Sequence, residues 1–294
     1  MTFENPFRCP GQWLKGNLHT HSTLSDGAQS PQERVDAYEG RGYDFLALTD
    51  HEVVADVAAL VSRTLLLIRG IEVTCTNPTG GPGFHIVGID VPADFLPPPS
   101  KHLQPTIDGI NDAGGLAVVA HPYWCGQTAA DLAIVDDAIG LEVFNTTCLR
   151  SIGKGTSAVH WDGLLAQGKR LFGLAVDDAH RVTRDAFQGW VMVKAAERTA
   201  DAVVDALSLG RFYASCGPTI EDMAIDGDRL AVRTSPVASI SFISRHARGG
   251  YAFKEDGGCI TEAEYALSRC EGYVRVECTD AAGRQAWANP ITLD

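Results

Sequence analysis

Seven short apolar runs, each of about strand length, punctuate the first two thirds of the chain and limit what it can fold into. They are DFLALT at 44–49, LLLIRGIEV at 65–73, FHIVGI at 84–89, GLAVVA at 115–120, GLEVF at 140–144, LFGLAV at 171–176 and GWVMVKA at 189–195. Runs rich in Val, Ile, Leu and Phe read as strands buried on both faces. Helical patterns lie between them. Ser30 and Glu33 form a capping box around Pro31, which suits the first helical position, and Gly40 and Gly42 end that helix. Segments 103–113, 156–168 and 199–209 read as further helices. Strand–helix alternation over residues 11 to about 215 predicts an α/β fold on a parallel sheet, open or closed into a barrel.

After Gly217-Pro218 short alternating segments take over, with turn signals at Asp226-Gly227 and Ala282-Gly283. This texture predicts a small all-β, sandwich-like module over 218–294, packed against a first domain at 11–217. The 294 residues can bury a core without disulfide or metal staples. No apolar run approaches the roughly 18 residues of a membrane-spanning helix, and no membrane association is expected. The first residues lack a basic and then apolar leader pattern, and the eight cysteines are scattered without a CxxC pair. Together these predict a cytoplasmic protein with reduced thiols. A formal net charge of −13 argues against a broad footprint for duplex nucleic acid and leaves a small-molecule substrate as the expected partner.

Of nine histidines, six sit beside the apolar runs: His19, His21, His51, His85, His121 and His180. Strand ends are where a parallel α/β fold gathers its active site. The i,i+2 spacing of His19 and His21 puts both rings on one face of an extended segment. Asp26-Gly27 follows closely, as a carboxylate or as a plain turn. His51, after Thr49-Asp50, reads as a ligand or as a core histidine bonded to Asp50. Glu72 lies in an otherwise apolar strand and needs a partner, either Arg69 or a metal. Strand alternation puts Arg69 on the opposite face, which favours the metal. Glu142 poses the same puzzle, as a residue behind the ligands or as a structural ion pair. Asp178 and His180 repeat the i,i+2 spacing. Six histidines with these carboxylates are enough for two or three divalent ions, and N/O ligation suits Mn, Fe or Zn. No GxSxG elbow, P-loop or GxGxxG motif offers a competing chemistry.

His19-Thr-His21, Asp26-Gly27, Thr49-Asp50-His51, Glu72, His85, Ala120-His121-Pro122 and Asp178-Ala-His180 resemble the PHP family, named for polymerase and histidinol phosphatase. The resemblance implies a distorted (β/α)7 barrel with two or three metals at the strand C-terminal ends. LAVDDAH, GWVMVKA, GRFYASCGP and YVRVECTDAAGRQAWANPI resemble the branch that includes carbaryl hydrolase. By this resemblance His19, His21, Glu72 and Asp178 would hold one metal. Glu72 would bridge to a second, also bound by His85 and His121, and Asp26, His51 and His180 would hold the third. Asp177 stands where many PHP proteins have serine, so it competes with Asp178 as ligand or acts as a proton relay.

The resulting expectation is a metal-dependent hydrolase, a phosphoesterase on a small phosphorylated substrate or nucleotide. A hydroxide bridging metals ~3.5–4 Å apart would attack phosphorus, with Glu72 as the bridge and Asp50 or Asp177 as relay. Asn145, Arg150, Lys154 and Arg181 are the expected substrate anchors. Tyr123 and Trp124 are expected either to stack a ring or to pack the rim. The alternatives are hydrolysis of a carboxylic ester or carbamate at the same metals, and a binding module without catalysis.

Overall fold

The computed structural model describes residues 4–293. Strand β1 (Gln12–Asn17) is followed by α1 (Pro31–Glu39), β2 (Phe45–Leu48), β3 (Leu66–Cys75), β4 (Phe84–Ile89), α2 (Leu103–Asp112) and β5 (Leu116–Val119). Two single-turn helices come next, α3 (Pro122–Cys125) and α4 (Ala129–Leu132). Then follow β6 (Gly140–Asn145), α5 (Thr146–Ile152), α6 (Ala158–Ala166), β7 (Phe172–Val176), β8 (Trp190–Ala195), α7 (Ala200–Ser208) and β9 (Phe212–Ser215). The expected capping box forms: Ser30 accepts from the Glu33 backbone, and Glu33 Oε2 accepts from Ser30 N at 2.7 Å. No helix among the described residues is long and apolar enough to cross a membrane.

The architecture is mixed α/β on one large sheet, whose first part runs β9-β8-β1-β2-β3-β4-β5-β6-β7. The expected parallel sheet forms in part, with β1-β2-β3 and β5-β6-β7 parallel. β4 runs antiparallel to both β3 and β5, and β8 and β9 are antiparallel additions beside β1. The β3–β4 link, residues 76–83, is too short for the helical crossover that parallel neighbours need. Reversal has a functional result. His85 opens its strand, yet it pairs with Thr74 near the end of β3, so it lies at the pole where the parallel strands finish. Beyond β7, Ala179 pairs with Thr20 in a parallel bridge, with His21 N donating to Ala179 O at 3.0 Å and Asp178 N to His19 O at 2.9 Å. The far end of the sheet is thereby tied back to β1, and both His19 and Asp178 are carried on the tie.

The C-terminal strands are β10 (Ile220–Asp226), β11 (Arg229–Val237), β12 (Ser239–Ser244), β13 (Gly249–Phe253), β14 (Ile260–Ala266), β15 (Tyr273–Thr279), β16 (Gln285–Ala288) and β17 (Ile291–Thr292). They do not form a free-standing sandwich. β16 pairs with β9, and β15, β12 and β13 extend the large sheet from there, while β10-β11-β14 make a separate sheet. Ile220, Met223, Leu230 and Val232 of the small sheet bury against Ile240, Phe242, Val274 and Val276 of the extension. Trp287 on β16 is fully buried in the main core and stacks on Phe144 of β6, ring centroids 5.9 Å apart.

Arg275 on β15 reaches α6, where it forms a bidentate pair with Asp162 at 2.6 and 2.7 Å. Its guanidinium lies 5.0 Å from the Trp161 ring, and a third bond reaches Glu277 at 3.0 Å. Removing one partner of a buried pair strands the other, at a cost of about 3 kcal/mol. Arg275→Ala should therefore lower unfolding stability by about that amount in urea titrations. A change below 1 kcal/mol would show that this contact does not couple the C-terminal strands to α6.

Candidate metal centre

The nine motif residues meet at one pole of the sheet. At their centre is Glu72 of β3, 1 % exposed. Its two oxygens face different groups. Oε2 lies 3.1 Å from His19 Nε2, 3.1 Å from His21 Nε2 and 3.3 Å from His51 Nδ1. Oε1 lies 2.8 Å from His85 Nδ1 and 3.2 Å from His121 Nε2. Asp178 Oδ1 joins the first group, 3.3 Å from His19 Nε2 and 3.1 Å from His21 Nε2. Asp26 joins at the mouth, 3.3 Å from His180 Nε2 and 3.8 Å from His51 Nε2. Ligand atoms thus converge as His19-His21-Glu72-Asp178, as His51-Glu72-His85, as His21-Asp26-His51-His180 and as His19-His121-Glu142.

This donor set fits divalent cations. Asp178 Oδ1 is buried with no aligned hydrogen-bond donor, and His19 Nε2 and His21 Nε2 point at each other across 3.0 Å. Lone pairs and carboxylate oxygens facing one small volume are what a cation relieves. The backbone is strained at two of these positions, with φ of +28° at His121 and +55° at Asp178. Left-handed conformations at non-glycine residues persist where surrounding packing enforces them. Gly27 is required for a related reason. A Cβ there would sit 2.4 Å from the His21 carbonyl oxygen, so only glycine lets the loop fold back and present Asp26.

Several acidic residues brace the ligands. Glu142 Oε1 accepts from His19 Nδ1 at 2.5 Å, and its Oε2 accepts from the His121 backbone and Asn145 Nδ2, each at 2.9 Å. Glu142 thus contacts His19 and the His121 backbone directly, within reach of both candidate ligands. Asp50 is a correction: its carboxylate does not reach the cavity but accepts from Ser22 N, Ser22 Oγ and Ser25 Oγ at 2.7–2.8 Å, tying down the loop that carries Asp26. Asp177 is a second correction. It turns away from Asp178 and accepts from Tyr38 Oη, Thr146 Oγ1 and the amides of Phe187, Gln188 and Gly189. Both carboxylates are engaged with neighbouring donors outside the cavity, and Asp178 alone of the Asp177–Asp178 pair enters the cluster.

A cavity of about 680 Å³ opens above the histidines. Arg150 and Arg181 line it, as does Arg184, which the sequence did not single out. Asn145 does not line it: the side chain is buried, bonded to Glu142 and Asp178, and caps α5 through Cys148 N at 2.9 Å. The segment after Asn145 is the helix α5. Lys154 also lies off the cavity, its ammonium 5.4 Å from the Tyr123 ring centroid. Trp124 forms one wall, 5.1 Å from the His121 ring and 5.9 Å from His85, while Tyr123 packs beside His160. Arg34 was also missed. Buried on α1, it donates to the carbonyls of His21 and Arg181, both at 2.8 Å, with no local sequence signal to mark it.

Burial disfavours charge on His21, but the hydrogen bonds it donates to Asp178 and Glu72 outweigh burial and hold the imidazole up at about 9. His19 and His121 are also raised despite burial, by the carboxylates around them and, at His121, by the Cys125 thiol. A raised histidine stabilises the folded state fully below its unfolded value and loses that contribution as pH rises through the folded one. Chelator-stripped protein should therefore melt several degrees lower at pH 9.5 than at pH 6.5. Metal-loaded protein, whose ligands are already neutral, should not show that loss. Equal shifts in calorimetry of the two forms would contradict this charge arrangement.

No family model matches the chain. It is 42% identical over 80 residues to a 5'-3' exoribonuclease of Haemophilus influenzae, covering 26% of this chain and 28% of that one. It is 37% identical over 79 residues to a 3',5'-nucleoside bisphosphate phosphatase of Chromobacterium violaceum, covering 26% and 27%. The chain thus spans little more than a quarter of the length of these two relatives. Over its whole length it superimposes on a two-domain protein from Bacteroides vulgatus that contains a predicted PHP-like metal-dependent phosphoesterase, at 18% identity and a TM-score of 0.55, covering 100% and 99% of the two chains. The nine positions that resemble the PHP family gather at one pole, and the chain shares its fold with a protein that contains a predicted PHP-like phosphoesterase.

Proposed function

We propose that this protein is a metal-dependent hydrolase, and specifically a phosphoesterase acting on a small phosphorylated substrate or nucleotide. The observation that carries the reading is the Glu72 carboxylate, its two oxygens divided between two histidine groups beneath a cavity lined by three arginines. His19, His21, Glu72 and Asp178 would hold one divalent ion, Glu72, His85 and His121 a second, and Asp26, His51 and His180 a third. Bound there, ions of the Mn, Fe or Zn class supply Lewis acidity and a nucleophile near neutral pH. The tie between Thr20 and Ala179 supports reading β1 to β7 as a distorted barrel. We keep 11–217 as the catalytic domain, with 218–294 as its β module.

The chain's own residues explain the preference for phosphoryl groups. Arg150, Arg181 and Arg184 form no carboxylate ion pair among the described residues, in a protein whose net charge is −13. Guanidinium groups bind phosphoryl oxygens in bidentate fashion. Arg150 is oriented for this by Gln188 Oε1, which accepts from Nε at 3.0 Å. Trp124 offers an aromatic wall beside His85 and His121. The relatives named as a nucleoside bisphosphate phosphatase and an exoribonuclease support the same choice.

The Arg181 side chain donates no hydrogen bond within the described residues, so Arg181→Ala should leave the fold intact. A lost charge-assisted bond corresponds to about tenfold to a hundredfold in kcat/KM. That loss is expected for an aryl phosphate and for a nucleotide on a metal-loaded preparation, with little change for 1-naphthyl N-methylcarbamate. Faster carbamate turnover by the wild type would favour the ester and carbamate reading. No turnover of any of the three would favour a binding module.

A further inference from the structure

A histidine that offers the lone pair of one ring nitrogen to a cation must carry its proton on the other, and the partner of that outer nitrogen sets the tautomer. The histidines that turn Nε2 inward here have their Nδ1 partners in view. His19 has Glu142 Oε1 at 2.5 Å, His180 has the Asp178 carbonyl at 2.7 Å, and His21 has Ser25 Oγ at 3.4 Å. His121 differs. Its Nε2 faces Glu72 Oε1 at 3.2 Å, while its Nδ1 lies 3.5 Å from the sulfur of Cys125. Sulfur's larger radius makes that a hydrogen-bonding separation, with the thiol able to accept or to donate weakly.

The local chain builds this contact rather than merely allowing it. His121 is the N-cap of α3, Pro122 opens the turn, and Gly126 closes it at φ +79°. Within that single turn Cys125 N donates to His121 O at 3.2 Å. Residues i and i+4 then lie on one face, which brings the thiol against the ring. The positive φ of His121 falls at the start of the same turn, so one short element places both the ring and the thiol.

We propose that Cys125 is a positioning residue for the metal centre: its sulfur accepts the Nδ1 proton of His121 and so presents the Nε2 lone pair to the cation shared with Glu72 and His85. This rests on the metal-dependent reading above. In the opposite arrangement the thiol donates to Nδ1, the proton sits on Nε2, and Nε2 donates to Glu72, which leaves no lone pair for a cation.

The test uses the full chain, stripped with chelator and retitrated with Zn²⁺ against a chromophoric competitor, as wild type, Cys125→Ser and Cys125→Ala. Loss of an outer partner typically weakens metal affinity by about tenfold to a hundredfold. Cys125→Ala should weaken one class of site by that factor and leave the others unchanged. Cys125→Ser should recover most of the loss, because a hydroxyl can accept the same proton. Long-range ¹H–¹⁵N spectra of Zn²⁺-loaded wild type should show His121 protonated at Nδ1. Unchanged affinity in Cys125→Ala, or a His121 protonated at Nε2 in the loaded protein, overturns the proposal and leaves the metal reading standing. A wild type that binds no Zn²⁺, and no Mn²⁺ in a parallel titration, overturns both. Should Cys125→Ala fail to fold by circular dichroism, the wild-type tautomer decides by itself.

Discussion

A fully buried carboxylate, Glu72, governs this molecule. An ionised carboxyl group is costly to bury without opposite charge or hydrogen bonds, and no arginine or lysine lies within ion-pairing distance of it among the described residues. Five histidines are its partners, and they arrive on different parts of the chain. His19 and His21 come from the extension of β1, His51 follows β2, His85 opens β4, and His121 follows β5. None of these elements can shift without uncovering part of the charge. The tie between the ends of β1 and β7 matters for the same reason, since it carries His19, His21 and Asp178 together.

The acidic residues at this pole divide into those that face the cluster and those that hold the chain in place. Glu72, Asp178 and Asp26 face inward. Asp50 secures the loop 22–27, Asp177 gathers three consecutive amides after Ala186, and Glu142 secures His19 and the start of α3. Burial pushes the Asp177 carboxyl up while the three amides pull it down, and burial prevails. A carboxylate enclosed by so many donors defines geometry; its proton affinity is not available to a substrate.

Much of this was legible before any coordinates. The apolar runs located β2 to β8, and the capping box located α1, because burial and capping leave local marks. Alternation grouped His19 with His21 and Asp178 with His180, while the wider grouping came from the resemblance to the PHP family. Strand direction leaves no such mark, so the reversal of β4 was invisible. The choice between Asp177 and Asp178 was also beyond reach. Alternation fails just past a strand end, where Asp178 turns to positive φ and sends neighbouring side chains in opposite directions. Arg184, Arg34 and Cys125 owe their roles to contacts across the fold or around one helical turn, and nothing in their composition sets them apart.

The pairing of β16 with β9 has a consequence for how the chain acquires its structure. Ala214 on β9 waits for Trp287, and Phe144 on β6 for the same indole, across separations of 73 and 143 positions. Closing loops of that length carries an entropic cost that must be met before the contacts reward it. During synthesis the candidate metal pole is complete in sequence once residue 180 has emerged, yet the core beneath it lacks the indole of Trp287 until the last strands follow. Vectorial folding should therefore pass through a long-lived species that has its ligands but not its packing, and such species are the ones that chaperones hold.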